Sequence, residues 1–555
     1  MFASGVIVYN TGMSEQDPAL ATANPSVQRS AGAGSRPMRW RAPVIILALA
    51  AVAIVIVRTS EALEANFRWM GTALAVVVAT LSLLVWFVFF TPFRWRTRLC
   101  VVGGVILVLF TASRVLRYDG SLDGTAFPRF AWKWTPRKSG DVGPVQTGAA
   151  STQPAANETA ASRDFPGFLG AKRDGVIEGV RLARDWAAQP PQLLWRQPMG
   201  LGYTGFAVSG WRAITLEQRG DKELVTCYAL TTGRMLWSYA HADRFVEKTS
   251  GDGPRSTPEI VEDRVYTLGA TGILDCLALA DGKLLWSHNI LTENHAGNLT
   301  FGKSCSPLVA GELVYVTGGG DKGPSLLAYK RTDGTLAWTA GNHAAGYGSP
   351  ALVTLGGVPQ IIVIGGGYVE SHDPTDGHSL WEYKWDGADK AIMASQPVVV
   401  GPDSVYLSAG FGASCTLLKI TALGDGKFTV SEAWKNKRLK TDFSTAIARD
   451  GFAYGLDDGV LACIDLATGE RKWKGGHYER GQVLLAGDLL LVQSEPGPVF
   501  LVEANPAAFH ELGHVDALKG KTWNNPALAG EYLVVRNDQE AACYKLAFEK
   551  SVVTR

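Results

Sequence analysis

At 555 residues, with 53 basic and 52 acidic side chains and a net charge of +1, the chain is too long for one ordinary domain. It also lacks the clustered basic excess that a nucleic-acid surface needs. Its 62 glycines and 17 tryptophans, beside only 19% charged residues, suit many short strands joined by tight turns, together with a lipid-facing part.

In chain order, residues 1–39 read as a polar, disordered tail, followed by a membrane region over 40–115. Apolar runs at about 42–57, 71–90 and 99–113 predict three transmembrane helices. The middle run has the roughly 20-residue length of a spanning helix. Trp40, Arg41 and Arg58 around the first, and Arg98 and Arg114 around the third, extend the two shorter runs by reaching the interface. The first run begins behind a long polar tail, too late for a cleaved signal peptide.

Arginines set the orientation. Arg29, Arg36, Arg39 and Arg41 precede the first helix, and Arg94, Arg96 and Arg98 lie between the second and third. Between the first and second are only Arg58 and Arg68, beside Glu61 and Glu64. The positive-inside rule then keeps the tail and second loop in the cytoplasm and exports everything after Arg114; the expected place is the inner (cytoplasmic) membrane, with the exported domain on its periplasmic or extracytoplasmic side.

Residues 116–163 are expected to be a linker. Its stretch 140–162, GDVGPVQTGAASTQPAANETAAS, has nothing to form a core. The aromatic piece before it, FPRFAWKWTP, suits docking on the membrane surface or on the next domain. Residues 164–189 lead into a repetitive region over 190–548.

There, TTGRMLW, ADGKLLW, TDGTLAW, TDGHSLW and ATGERKW place Gly233, Gly282, Gly334, Gly377 and Gly469 four residues before Trp237, Trp286, Trp338, Trp381 and Trp473. Each glycine serves a tight hairpin, where positive φ is free of steric cost, and each tryptophan falls on the returning strand. A second signature, LVAGELVYV, LLAGDLLLV and ALAGEYLVV, turns at Gly311, Gly487 and Gly530. Periods of 40–50 residues mark propeller blades. One degenerate copy ends at Trp434; another has lost its tryptophan, with Leu512 near the expected place. The last copy stops at CYKL, one strand short, and LLWRQP around Trp195 matches the missing strand. The fold is therefore expected to be all-β, an eight-bladed propeller of four-stranded antiparallel blades behind about three transmembrane α-helices.

These Gly-x-x-x-Trp hairpins resemble the quinoprotein alcohol dehydrogenase-like propellers, over roughly 190–548. The resemblance implies that Trp195, Trp237, Trp286, Trp338, Trp381, Trp434 and Trp473 dock between blades. It also implies an axial site for pyrroloquinoline quinone with calcium. The approaches to the innermost strands bring polar residues toward that axis: Arg255, Ser256, Lys303, Gln396, Asp442, Arg480, Trp523 and Asn525, with Ser304, Tyr347, Ser349, Lys440, Gln482 and Asn524 beside them. Such a positive, hydroxyl-rich funnel suits a polycarboxylate; equally, propeller channels are polar because water fills them.

Two departures weigh against an enzyme. The family's enzymes hold a vicinal disulfide against the cofactor, whereas Cys100, Cys227, Cys276, Cys305, Cys415, Cys463 and Cys543 include no adjacent pair. The calcium ligands on inter-blade insertions have no counterpart in these compact blades. The motif His510-Glu511-Leu512-Gly513-His514 fits H-E-x-x-H but sits where the repeat demands strands, so no metal is expected there. The leading expectation is an exported propeller that binds a cell-envelope protein partner, with the bilayer as its other partner and no cofactor. The alternative is a quinone-dependent dehydrogenase of alcohols or sugars that passes electrons to membrane quinones.

Overall fold

The computed structural model describes residues 40–60, 63–136, 164–320, 324–386 and 392–549; the expected tail and the expected 140–162 linker lie outside them. Three helices come first: α1 (Arg41–Thr59), α2 (Ala65–Phe90) and α3 (Trp95–Val115). All three are long and apolar enough to cross a membrane. The short runs are lengthened at the arginine-bearing ends, so the helices exceed the apolar cores. Arg98 closes the end of α2, donating to the carbonyl oxygens of Val88 at 2.6 Å, Phe93 at 3.0 Å and Thr91. Those carbonyls have no intrahelical partner, and a cation at a helix C-terminus also meets the negative end of its dipole.

Immediately after α3, strands β1 (Leu116–Ser121) and β2 (Pro128–Trp132) form a hairpin. The leader carries the two-residue strand β3 (Val176–Ile177), and β4 (Gln192–Pro198) follows it. Eight antiparallel sheets then succeed one another, spanning 207–241, 259–289, 308–340, 351–384, 398–436, 447–477, 482–515 and 527–545. The eighth contributes three strands of its own, and β4 supplies the fourth, with Cys543 opposite Trp195. Pairing the first strand of the ring with the last sheet removes the open edge that an unsealed propeller would leave.

Contacts between blades explain the Gly-x-x-x-Trp repeat more fully than turn chemistry does. The indole of one blade lies on the hairpin glycine of the next: Trp195 on Gly233, Trp237 on Gly282, Trp286 on Gly334, Trp338 on Gly377 and Trp434 on Gly469. A Cβ on any of these glycines would fall 2.4–2.8 Å from an indole carbon, and their φ values of 68–78° belong to the left-handed region. Trp195, Trp237, Trp286 and Trp434 donate their indole N–H to a carbonyl of the next blade, at 2.7–3.1 Å. Trp473 does the same to Asn505 at 2.8 Å. Trp381 differs, donating to Gln360 of its own blade at 2.7 Å. The blade after it has an elongated final hairpin, Cys415–Gly424 with Lys427–Asn436, whose turn glycine Gly426 has open space beside it.

Four cysteines face these tryptophans across the sheet: Cys227 opposite Trp237, Cys276 opposite Trp286, Cys463 opposite Trp473 and Cys543 opposite Trp195. Ala328 and Ser371 take the same place opposite Trp338 and Trp381, so six of the seven indoles lie opposite a small side chain; Trp434, in the blade with the elongated hairpin, lies opposite Leu417. All seven cysteines are free, six of them buried. In the degenerate blade the register puts Gly513, not Leu512, at the tryptophan position, opposite Leu501. The leader fills the gap: the Cβ of Trp186, a residue 4% exposed, lies 3.4 Å from where a Gly513 Cβ would stand.

Candidate functional site: the axial cavity

The approaches to the innermost strands do converge, and around the axis they enclose a cavity of about 190 Å³. Tyr203, Phe301, Tyr347, Phe411, Phe443 and Trp523 give it aromatic walls, with Ser304, Ser349, Gln396, Gln482 and Asn525 among them. The chain itself forms both floor and roof. Below, the leader crosses the channel. Phe165 pairs with Val208 of the first blade, Pro166 accepts from Ile260 of the second at 2.7 Å, and Gly175 accepts from Leu485 of the seventh at 2.8 Å. Between them Arg173 spans to Glu259 at 2.8 Å and to Pro307 O at 2.8 Å, and Phe168 lines the cavity. Burial pushes Glu259 up to about 7 in spite of Arg173.

Above, the tip of the β1–β2 hairpin covers the mouth. The Gly124 N–H donates to Glu495 Oε1 at 2.6 Å, and the same oxygen accepts the Trp523 indole at 2.9 Å. A Cβ on Gly124 would lie 2.1 Å from Arg480 Cδ, so only glycine fits. Ser121 donates to Thr249 O through its backbone at 3.0 Å and its hydroxyl at 2.8 Å, tying the hairpin to the loop after the first blade.

The α1–α2 junction docks beside it. Both carboxylate oxygens of Asp458 accept from the Ala65 N–H at 3.0 Å, with Arg68 at 3.6 Å, and Glu64 accepts from Gly412 N at 3.0 Å. Arg480 bridges Asp458 at 3.1 Å and Asp442 at 2.8 Å. Burial pushes Asp442 up to about 7, against the pull of Arg480. The α1–α2 junction and the segment after α3 thus meet the same face of the ring.

Of the eight axial residues read from the sequence, Arg255, Gln396, Trp523 and Asn525 line the cavity, and Ser256, Lys303, Asp442 and Arg480 do not. Lys303 is wholly buried and turned into its blade, donating to Thr317 O at 2.9 Å, Thr317 Oγ1 at 3.2 Å and Gly318 O. Burial lowers its pKa. Ser256 is fully buried. Lys440 pairs with Asp457 at 2.7 Å, away from the axis. Arg255 donates to Gly253 O and Gly251 O, each at 2.6 Å, and to Ser250 Oγ at 2.7 Å, with its guanidinium 5.5 Å from the Tyr203 ring. The Gln396 amide, oriented by its hydrogen bonds, pairs with the Ser349 backbone at 2.7 and 2.9 Å. The positive funnel is thus an aromatic chamber whose cations turn to the chain's own acceptors and carboxylates, with Arg480 Nη1 left without a hydrogen-bond partner.

Tyr203, Phe443 and the hairpin roof were not identified from sequence. The aromatics share no spacing, and the hairpin is a single copy outside the repeat. Residues Glu511–Val515 of the H-E-x-x-H stretch form a strand, so the motif has no helical face. His510 pairs with Glu503 at 3.2 Å, while Glu511 accepts from Tyr478 at 2.6 Å.

The residues around the cavity do not fit a polycarboxylate quinone with calcium. The one cavity guanidinium, Arg255, already donates to protein acceptors, and the nearest carboxylates are likewise engaged. Glu495 accepts from Gly124, Trp523 and Arg480 N, and Asp123 accepts from Thr125 at 2.9 and 2.6 Å.

The family described as outer membrane protein assembly factor BamB matches residues 188–296 and 221–475, together half of the chain. Among solved structures, BamB from Moraxella catarrhalis is 15% identical, covering 64% of this chain and 97% of its own, with a TM-score of 0.45. The quinohemoprotein alcohol dehydrogenase ADHIIG from Pseudomonas putida HK5 is 12% identical over 70% of this chain and 81% of its own, with a TM-score of 0.50. A europium-containing methanol dehydrogenase is 12% identical over 67% and 89%, with a TM-score of 0.48. At such identities the likeness is one of fold. No curated protein matches significantly.

Proposed function

The chain belongs to the propeller family of the outer membrane protein assembly factor BamB, and from that membership we propose that it is a non-catalytic binding module of the cell envelope. In this reading α1–α3 anchor it in the inner membrane and the ring stands on the periplasmic side, where its blades engage an envelope protein. One observation carries the reading: the axis, where a propeller of this class would do chemistry, is floored by the leader and roofed by the hairpin, and its cations are turned to the chain's own carbonyls, hydroxyls and carboxylates. Export rests on the arginine distribution together with the shared face of the α1–α2 loop and the ring.

The test uses the purified full chain in detergent, titrated with pyrroloquinoline quinone at millimolar calcium while absorbance and dye reduction with alcohols and sugars are followed. No uptake is expected. Tight uptake weakened by Arg255→Ala would overturn the reading in favour of the dehydrogenase. An alkaline phosphatase fused after Arg555 should be active in cells; an inactive fusion would place the ring in the cytoplasm.

A further inference from the structure

We propose that the β1–β2 hairpin lies flat in the headgroup layer of the bilayer, its aromatic face toward lipid, and so holds the axial mouth of the ring against the membrane. This rests on reading α1–α3 as membrane-spanning and adds which face of the ring is occupied.

The hairpin touches a spanning helix at each of its ends. At its base, β1 begins at Leu116, the residue after α3 ends, and Lys133 binds back to α3 through its N–H to Val115 O and its Nζ to Ser113 O, both at 2.8 Å. At its tip, the Trp69 indole, one turn into α2, donates to Thr125 O at 2.7 Å, and its ring meets Phe127 edge-on at 5.4 Å. The start of α2 and the end of α3 are at the same membrane surface, because two consecutive antiparallel crossings return the chain to its starting side. A six-residue strand at about 3.3 Å per residue covers roughly 20 Å. A ribbon of that length tied to two helix ends at one level runs along the interface rather than away from it.

Its two faces differ as such a position requires. Strand alternation and the register put Tyr118 opposite Phe130 and Leu116 opposite Trp132 on one face. Phe130 is 60% exposed, and Trp132 stacks on Trp134 with centroids 5.1 Å apart. On the other face Arg117, Asp119 and Arg129 look into a crevice of about 580 Å³ between the hairpin and the ring, which Tyr118 also lines. Contiguous exposed aromatics mark an interaction surface, and tryptophan and tyrosine concentrate at the headgroup level. Continuity with α3 names the occupant as the bilayer. The axial mouth then faces lipid, leaving the flanks and the opposite face of the ring to protein partners.

Spin labels on introduced cysteines test this in the full chain, with Cys100→Ala as background and the six other cysteines buried, in vesicles of phosphatidylethanolamine and phosphatidylglycerol. Labels at Phe130→Cys and Trp134→Cys should be several-fold more accessible to oxygen than to a water-soluble nickel complex. Leu336→Cys on the third blade should show the reverse. Val77→Cys, inside α2, reports the spanning reading by itself: if it is water-accessible, that reading fails. If Val77→Cys is in lipid while positions 130 and 134 behave like 336, the proposal is overturned. Trp132→Cys, 50% exposed on the same face, supplies the same reading should a replacement at 130 or 134 disturb folding.

Discussion

Alanine at position 282 should cost the ring about 3 kcal/mol, and the part of that cost beyond the backbone term should vanish once Trp237 is removed. Gly282 has φ of 74°, where an L-residue costs roughly 1–2 kcal/mol. Its new Cβ would lie 2.4, 2.8 and 3.0 Å from three carbons of the Trp237 indole, well inside the ~3.5 Å of an ordinary carbon contact. The ring must therefore retreat by about 1 Å from a slot in which it is 6% exposed and bonded to Leu279 O at 3.1 Å. Overpacking of that kind adds about 1–3 kcal/mol. Gly311→Ala is the control, since φ there is 57° and a Cβ would meet nothing within 4 Å. It should show the backbone cost alone. Trp237→Ala removes about 3–5 kcal/mol by itself; in that background Gly282→Ala should fall to the cost of the control. Urea unfolding of the four cycle members and the control, as full chains in mild detergent, gives the coupling energy, expected at about 1–3 kcal/mol. A Gly282→Ala penalty that is equal in both backgrounds, or no larger than that of Gly311→Ala, would refute the docking argument.

Deleting 193–198 should lower the melting temperature far more than deleting the 140–162 linker, because β4 completes the eighth blade and carries Trp195 onto Gly233; equal melting temperatures would contradict the closure. Asp442, with its carboxyl pushed to about 7 against an ordinary 3.8, favours folding while protonated, so that contribution is full below pH ~4 and is lost as pH rises toward 7. Asp442→Asn mimics the protonated form and should gain on wild type between pH 5 and pH 8, by an amount on the order of 2–4 kcal/mol; parallel pH profiles for the two proteins would contradict this.

The ring was legible in the sequence because its determinants are local and repeated. Each hairpin needs a positive φ, and each indole follows at a fixed spacing, so five copies define a register and the missing eighth outer strand could be sought at the front of the chain. What repetition does not mark stayed hidden. Gly124 matters only because Arg480 comes to rest against it, and nothing near Gly124 announces that. The lost tryptophan of the seventh blade is made good by Trp186, which belongs to the leader and not to the repeat. The axial cations show a third limit. Arg255, Lys303 and Arg480 do arise from matching strand approaches, but a backbone position says nothing about where a long side chain turns. Lys303 folds back onto the carbonyls of Thr317 and Gly318, and Arg480 turns to two aspartates. Each is desolvated, and a buried cation is tolerated only with acceptors close by.

That pairing also bears on the choice between binding module and enzyme, which membership in a propeller family leaves open, since one fold hosts unrelated functions. A catalytic axis needs groups left unsatisfied until substrate or cofactor arrives. Here Arg480 meets Asp442 and Asp458, Asp458 also holds the first residue of α2, and Glu495 joins the hairpin tip to Trp523. The polar groups of the mouth are used to fasten the ring to the chain's own N-terminal helices and hairpin. Freeing them for a cofactor would mean withdrawing the hairpin and taking from Glu495, 3% exposed, the Gly124 N–H it accepts. The ring's exposed flanks carry no such constraint, and under the proposed binding function they are where a partner would dock.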